Sequence, residues 1–113
     1  MRHAEVYRGS FAISVCPSEN VESPTIVGAQ AANELLNIIG IKASFVLTEY
    51  NDKIYISSRS IDEINVQIIM EKLGGGGHLN VAGAQLTGVT IVQAKRMIQD
   101  TLDEMLKEGD IEE

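Results

Sequence analysis

The chain has 113 residues, the size of one domain, and nine Lys and Arg against sixteen Asp and Glu leave a net charge of −7. A hydrophobic fraction of 44% excludes a disordered or fibrous chain, and a chain this long buries roughly two-thirds of its unfolded surface, enough for one core without staples. The lone Cys16 excludes an internal disulfide framework, and no apolar run reaches the roughly 20 residues of a membrane helix. The start Met1-Arg2-His3-Ala4-Glu5 lacks the apolar stretch of a secretory signal, so the chain reads as a cytoplasmic domain without direct membrane contact.

Glu5 to Arg8 is a candidate strand turned at Arg8-Gly9-Ser10 into a second, in which Phe11, Ile13 and Val15 share one face. Cys16 to Asn20 reads as loop. Ser23 before Pro24 is a helix start, a capping hydroxyl followed by a residue whose missing N–H costs nothing in the first turn. Val27, Ala31, Leu35, Ile38 and Ile39 follow at helical spacing, and Gly40 ends the helix. Ser44–Tyr50 and Lys53–Arg59 then flank Asn51-Asp52, two residues that tolerate the positive φ of a tight turn. A two-residue loop pairs Tyr50 with Lys53, Leu47 with Ile56 and Ser44 with Arg59. Phe45, Leu47, Ile54 and Ile56 gather on one face, and Ser44, Thr48, Tyr50, Tyr55, Ser57 and Arg59 on the other. Arg59 therefore emerges away from the aliphatic face.

Ser60 and Glu63 have capping-box spacing and predict a helix from Ser60 to Gly74, with Val66, Ile69, Met70 and Leu73 inward. A third helix starts at Thr90 with the box Thr90/Gln93 and turns Ile91, Ala94, Ile98, Leu102 and Met105 inward. A short strand is expected around Gln85 to Thr87. The pattern predicts an α+β (mixed α/β) fold, a four- to five-stranded mixed sheet with three main helices. The domain is expected over residues 1–107, with 108–113 an acidic tail.

Residues 100–113 hold seven acids against Lys107 alone, so the remaining 99 residues are nearly neutral. A basic stripe that would bind duplex nucleic acid by counterion release is missing. Trp is absent and Phe and Tyr number five, too few for a stacking platform along a single strand.

The segment Gly74-Gly75-Gly76-Gly77-His78 carries the chemistry. Each ordered glycine costs about 0.5–1 kcal/mol relative to alanine. Gly74 suffices to end the preceding helix, so Gly75, Gly76 and Gly77 call for another reason. Bare backbone lets successive N–H groups converge on an anion or lets a flat base lie against the chain; a flexible linker is the bland alternative. A Walker loop is excluded because His78-Leu79 stands where Lys-Ser/Thr belongs, and a Rossmann fingerprint because the run follows a helix. That helix end is the negative one. A phosphate here needs the loop amides, a new helix turn near His78, or a cation such as Arg59, whose fork suits phosphate oxygens.

Ser58-Arg59-Ser60 followed by Gly75-Gly76-Gly77-His78-Leu79-Asn80-Val81-Ala82-Gly83-Ala84-Gln85 resembles the C-terminal domain associated with DHH phosphoesterases, with Val81 where the family usually has alanine. The run Asn65-Val66-Gln67, the four glycines and the last helix most resemble membrane-anchored cyclic di-AMP phosphodiesterases of the GdpP type. The resemblance implies that Gly75, Gly76, Gly77 and His78 form a substrate loop, Arg59 a phosphate clamp and Asn80 a secondary polar contact. It implies cyclic di-AMP or short dinucleotides as ligands and a preceding DHH domain as partner, with a homodimer also allowed. The cofactor it implies is a divalent metal pair, commonly manganese, held in that DHH domain, with none in this chain. The parent would be anchored in the cell membrane and face the cytoplasm. His3 and His78 are the only histidines and there is no Asp-His-His run, so this chain is expected to bind without turnover.

Competing readings stay open at the level of the residues. His3 is a bystander, His78 can bond the backbone, and Arg59 can pair with Glu63 four residues on. Ser60 can be only a cap and Asn80 only a turn residue. Gln85 and Asn65 read as structural, and Met70, Met97 and Met105 as core fillers. The rival functions are a soluble DHH enzyme acting on short RNA or polyphosphate, a nucleic-acid-binding module like that of alanyl-tRNA synthetases, and a domain that docks a protein through its acidic helix.

Overall fold

The computed structural model describes residues 4–16, 23–61 and 63–112; His3 and the expected loop residues Pro17 to Asn20 lie outside them. The chain forms β1 (Glu5–Tyr7), β2 (Phe11–Cys16), α1 (Pro24–Leu35), β3 (Ala43–Tyr50), β4 (Lys53–Ser60), α2 (Val66–Lys72), β5 (Gly76–His78), β6 (Val81–Thr87) and α3 (Ile91–Glu108). The fold is mixed α/β. Six strands make one sheet in the order β1-β2-β3-β4-β6-β5, parallel only between β2 and β3. That parallel pair needs a crossover, and α1 supplies it.

The central hairpin has the expected register, with Tyr50 opposite Lys53, Leu47 opposite Ile56 and Ser44 opposite Arg59. Asn51 and Asp52 take φ of 52° and 63°, the left-handed values its two-residue turn requires. Alternation along these strands sorts the side chains into two cores. On one face Phe11, Ile13, Phe45, Leu47, Ile54 and Ile56 pack against Val66, Ile69 and Met70 of α2 and Ala94, Ile98, Leu102 and Met105 of α3. On the other, Ala12 and Val46 meet Ala31, Ala32 and Leu35 of α1.

Five expectations are corrected. The sheet gains a sixth strand because the glycine run pairs as β5, and β6 begins at Val81 rather than near Gln85. Glycine has no side-chain alternation from which a strand could be read. The Ser60/Glu63 capping box does not form. Ser60 and Ile61 keep sheet-like bonds, their N–H groups donating to the carbonyls of Asn80 and Lys42 at 3.0 Å each. The helix starts six residues later, where Asn65 Oδ1 accepts from the Ile68 N–H at 3.3 Å. α1 ends at Leu35 because Asn37 and Ile38 donate three residues back, tightening the chain into turns. Ile38 and Ile39 are consequently exposed, Ile39 completely. Ser23 has the extended backbone of a cap but makes no side-chain capping bond.

The remaining elements match their signals. α3 carries the full Thr90/Gln93 box and ends at Gly109 with φ 81°. Past it, Ile111 folds back into the larger core. β1 is fastened to α3 by the Tyr7 hydroxyl, which donates to the Asp103 carboxylate at 2.7 and 2.8 Å, and by Arg8 Nε at 2.6 Å. No helix among the described residues is long and apolar enough to cross a membrane.

Replacing Asn65 by Ala removes the α2 cap and is expected to cost about 1 kcal/mol, read from denaturant melts. The Tyr7 hydrogen bond and then Arg8 hold the Asp103 carboxyl below its ordinary 3.8, and the bond to Asp103 holds the Tyr7 phenol above 10.0. The depressed carboxyl contributes stability at pH above its ordinary value and loses it as pH falls through the folded one. The raised phenol contributes below 10.0 and loses it as pH rises through the folded value. A Tyr7→Phe variant should therefore melt below the parent at pH 7, with the difference closing at both extremes.

Candidate functional site

α1 covers β2, β3 and part of β4 but leaves its face of the sheet open over β6 and β5. The uncovered area is an open cleft of about 660 Å³ lined by Tyr55, Ser57 and Arg59 on β4, by Val81 to Gln85, and by Gly74 to His78, with Ala29 of α1 at its edge. That size suits a small ligand.

Strand register arranges the outward positions of this face in rows. Arg59 lies opposite Val81, which lies opposite His78. Ser57 lies opposite Gly83, which lies opposite Gly76. Tyr55 lies opposite Gln85. The middle row carries no side chain on two of its three strands, so its floor is backbone. Arg59 and His78 border it on one side, their Cα atoms about 10 Å apart at the usual strand spacing; Tyr55 and Gln85 border it on the other.

The four glycines have different causes. Gly74 takes φ 86° at the end of α2. A Cβ on Gly75 would stand 2.1 Å from the Gly83 carbonyl oxygen, and one on Gly77, where φ is 148°, 2.5 Å from Val81 O and Ala82 Cα. β5 and β6 approach too closely there for any side chain. Gly76 differs, because its φ is not left-handed and a Cβ would meet nothing within 4 Å. The further reason that the sequence calls for is, at Gly75 and Gly77, the chain itself. Two of the run's amides are already taken within the chain. The Gly74 and Gly75 N–H groups donate to Glu71 O at 3.1 Å and Met70 O at 2.8 Å, and Gly76 to His78 lie in an edge strand.

Arg59 reaches the cleft as its register requires. Nη1 donates to the Ser58 carbonyl at 2.8 Å, and Glu63 pairs instead with Lys42 at 3.0 Å. Burial lowers the Arg59 pKa, yet a guanidinium stays charged at neutral pH. Among the described residues it is the cleft's one formal cation and faces no carboxylate. A partly desolvated cation without a counter-ion favours an anionic ligand. His78 is exposed on β5, and its ring has no hydrogen-bond partner among the described residues. No helix turn begins there.

Asn80 is drawn away from the cleft. Its Nδ2 donates to Ser60 Oγ and the Ile61 carbonyl, both at 3.0 Å, while Ser60 Oγ donates to the Ile64 carbonyl at 2.6 Å. These bonds brace the β5–β6 turn against the end of β4, so Asn80 and Ser60 act as structural residues in this arrangement. Tyr55 and Gln85 line the cleft although Gln85 carried no signal of its own. The shared face of Tyr55, Ser57 and Arg59 was the signal that pointed toward it. Among the described residues no three His, Cys, Asp or Glu side chains converge, and the cleft lining offers His78 as its one ligating side chain, which does not fit a divalent ion.

Gly75→Ala is expected to destabilise the fold by about 2–3 kcal/mol through the forced separation of β5 and β6. Gly76→Ala should change stability by less than about 1 kcal/mol. Thermal melts of the two variants check this contrast.

Residues 9–108 match the family model described as the DHHA1 domain. The chain is 47% identical over 100 residues to the cyclic-di-AMP phosphodiesterase PdeA of Listeria monocytogenes, covering 88% of this chain and 15% of that protein. To the cyclic-di-AMP phosphodiesterase GdpP of Bacillus subtilis it is 37% identical over 111 residues, covering 96% of this chain and 17% of the relative. Among solved structures, an exopolyphosphatase-related protein from Bacteroides fragilis superposes with a TM-score of 0.79 at 22% identity, over 90% of this chain and 31% of that one. The chain thus spans about a sixth of the length of these two phosphodiesterase relatives.

Proposed function

We propose, for a chain that belongs to the DHHA1 domain family, that the open cleft binds one nucleotide of cyclic di-AMP, or of its linear dinucleotide, during phosphodiester hydrolysis. The observation that carries this reading is Gly76, a bare position with ordinary backbone and free space, beside a cation that has no counter-ion among the described residues. Folding does not require a glycine there; a ligand lying flat on the Gly83–Gly76 strip does. The cyclic-di-AMP phosphodiesterases named above supply the substrate class.

In this reading Arg59 clamps a phosphate through its fork. His78, across the row, donates a hydrogen bond to a phosphate oxygen or the ribose. The glycine floor excludes water beneath the ligand. Gly75 and Gly77 act by keeping β5 close to β6, which holds Gly76 level with Gly83. Metal-activated attack on the phosphodiester belongs to a separate DHH domain carrying manganese, in a membrane-anchored parent that faces the cytoplasm. This chain positions substrate for it and does not hydrolyse alone. A polynucleotide-binding module is disfavoured by a cleft with one formal cation on a chain of charge −7.

The test is NMR titration of the chain with a 5′-phosphorylated linear adenine dinucleotide. The amides of Gly76, His78 and Arg59 should shift. Arg59→Ala should weaken binding about tenfold or more, and Gly76→Ala should abolish it while leaving the melt intact. Shifts confined to residues 90–112 would overturn the proposal in favour of protein docking through α3. Equal shifts with inorganic tripolyphosphate would place the chain with polyphosphate-processing enzymes.

A further inference from the structure

Tyr55 and Gln85 are direct cross-strand partners on β4 and β6 and close the cleft at the end opposite Arg59. Neither the Tyr55 hydroxyl nor the Gln85 amide makes a hydrogen bond among the described residues, and Gln85 is exposed whereas Tyr55 is half-buried. Four residues of strand separate Tyr55 from Arg59, a rise of about 13 Å. A mononucleotide held by its phosphate at Arg59 and laid across the bare row, in the direction of the strands, extends its base toward that far pair. An aromatic face next to a primary amide is the combination that stacks a base and reads its edge. A Gln amide offers one acceptor and one donor side by side. On the edge that carries N7, adenine presents the complementary N6–H donor and N7 acceptor, whereas purines with a 6-keto group present two acceptors there and satisfy only half of the amide.

We propose that Gln85, supported by the Tyr55 ring, is the base-reading element of the cleft and selects 6-amino over 6-keto purines. This assignment rests on the phosphate-binding reading above and adds to it the residues that set base identity. A surface Gln beside a Tyr on a strand face is otherwise an ordinary solvated pair, so the test separates base recognition from phosphate binding.

Adenosine 5′-monophosphate, inosine 5′-monophosphate and ribose 5-phosphate are titrated into the chain and followed by NMR. The Gln85 side-chain amide should shift with adenosine monophosphate and stay in place with ribose 5-phosphate. The adenine nucleotide should bind about fivefold tighter than the hypoxanthine one. Gln85→Ala should bring that ratio to one and leave ribose 5-phosphate affinity unchanged. Tyr55→Leu should weaken both nucleotides alike, and Tyr55→Phe, which keeps the ring, should retain their affinity. An unchanged adenine-to-hypoxanthine ratio in Gln85→Ala, with Gly76 and Arg59 still responding, would overturn base reading by Gln85 and spare the phosphate site. If none of the three ligands moves Gly76 or Arg59, the phosphate site falls and the base-reading element with it.

Discussion

The architecture of the cleft depends on one close backbone approach. β5 lies so near β6 that the Cβ positions of Gly75 and Gly77 are occupied by Gly83 O, Val81 O and Ala82. This contact orders Gly75 and the two glycines of β5, Gly76 and Gly77, along the sheet edge, offsetting the conformational entropy they lose. It also makes the floor flat. With β5 aligned on β6, and β6 on β4, the outward residues fall into rows, and the cation, the imidazole, the bare strip and the Tyr–Gln pair take fixed places.

A second constraint is the length of α1. Twelve residues cover β2 to β4, and the helix gives way to tight turns at Leu36. The β6–β5 edge of the sheet stays uncovered on that face, while α2 and α3 seal the opposite one with Val66, Ile69, Met70, Ile98 and Leu102. One face of the sheet is thus given wholly to the larger core, and the other is divided between the smaller core under α1 and the open cleft.

The legible parts of this fold are those where side chains report backbone geometry. The β3–β4 register followed from Asn51-Asp52 and alternating apolar residues, and it put Arg59 on the cleft face. Thr90 and Gln93 announced α3 because both halves of their box are free to form. Ser60 and Glu63 have the same spacing, yet the Ser60 amide already pairs with Asn80 O and Glu63 reaches Lys42, so the pattern misleads. The glycine run hid a strand for want of alternation. It also hid its own division of labour: which glycine answers to φ, to crowding or to open space depends on the neighbouring strand. Gln85 was passed over because a polar residue on a strand looks the same over a cleft as over bulk water.

The sheet also stands between Arg59 and the acids of α3. The acids of α3, Asp100, Asp103, Glu104 and Glu108, lie on the side that α2 and α3 seal, a full layer, about 10 Å, from the Arg59 face. That separation exceeds the screening length of roughly 8 Å in physiological salt. In the reading proposed above, the repulsion of those acids is damped before it reaches an anion at Arg59.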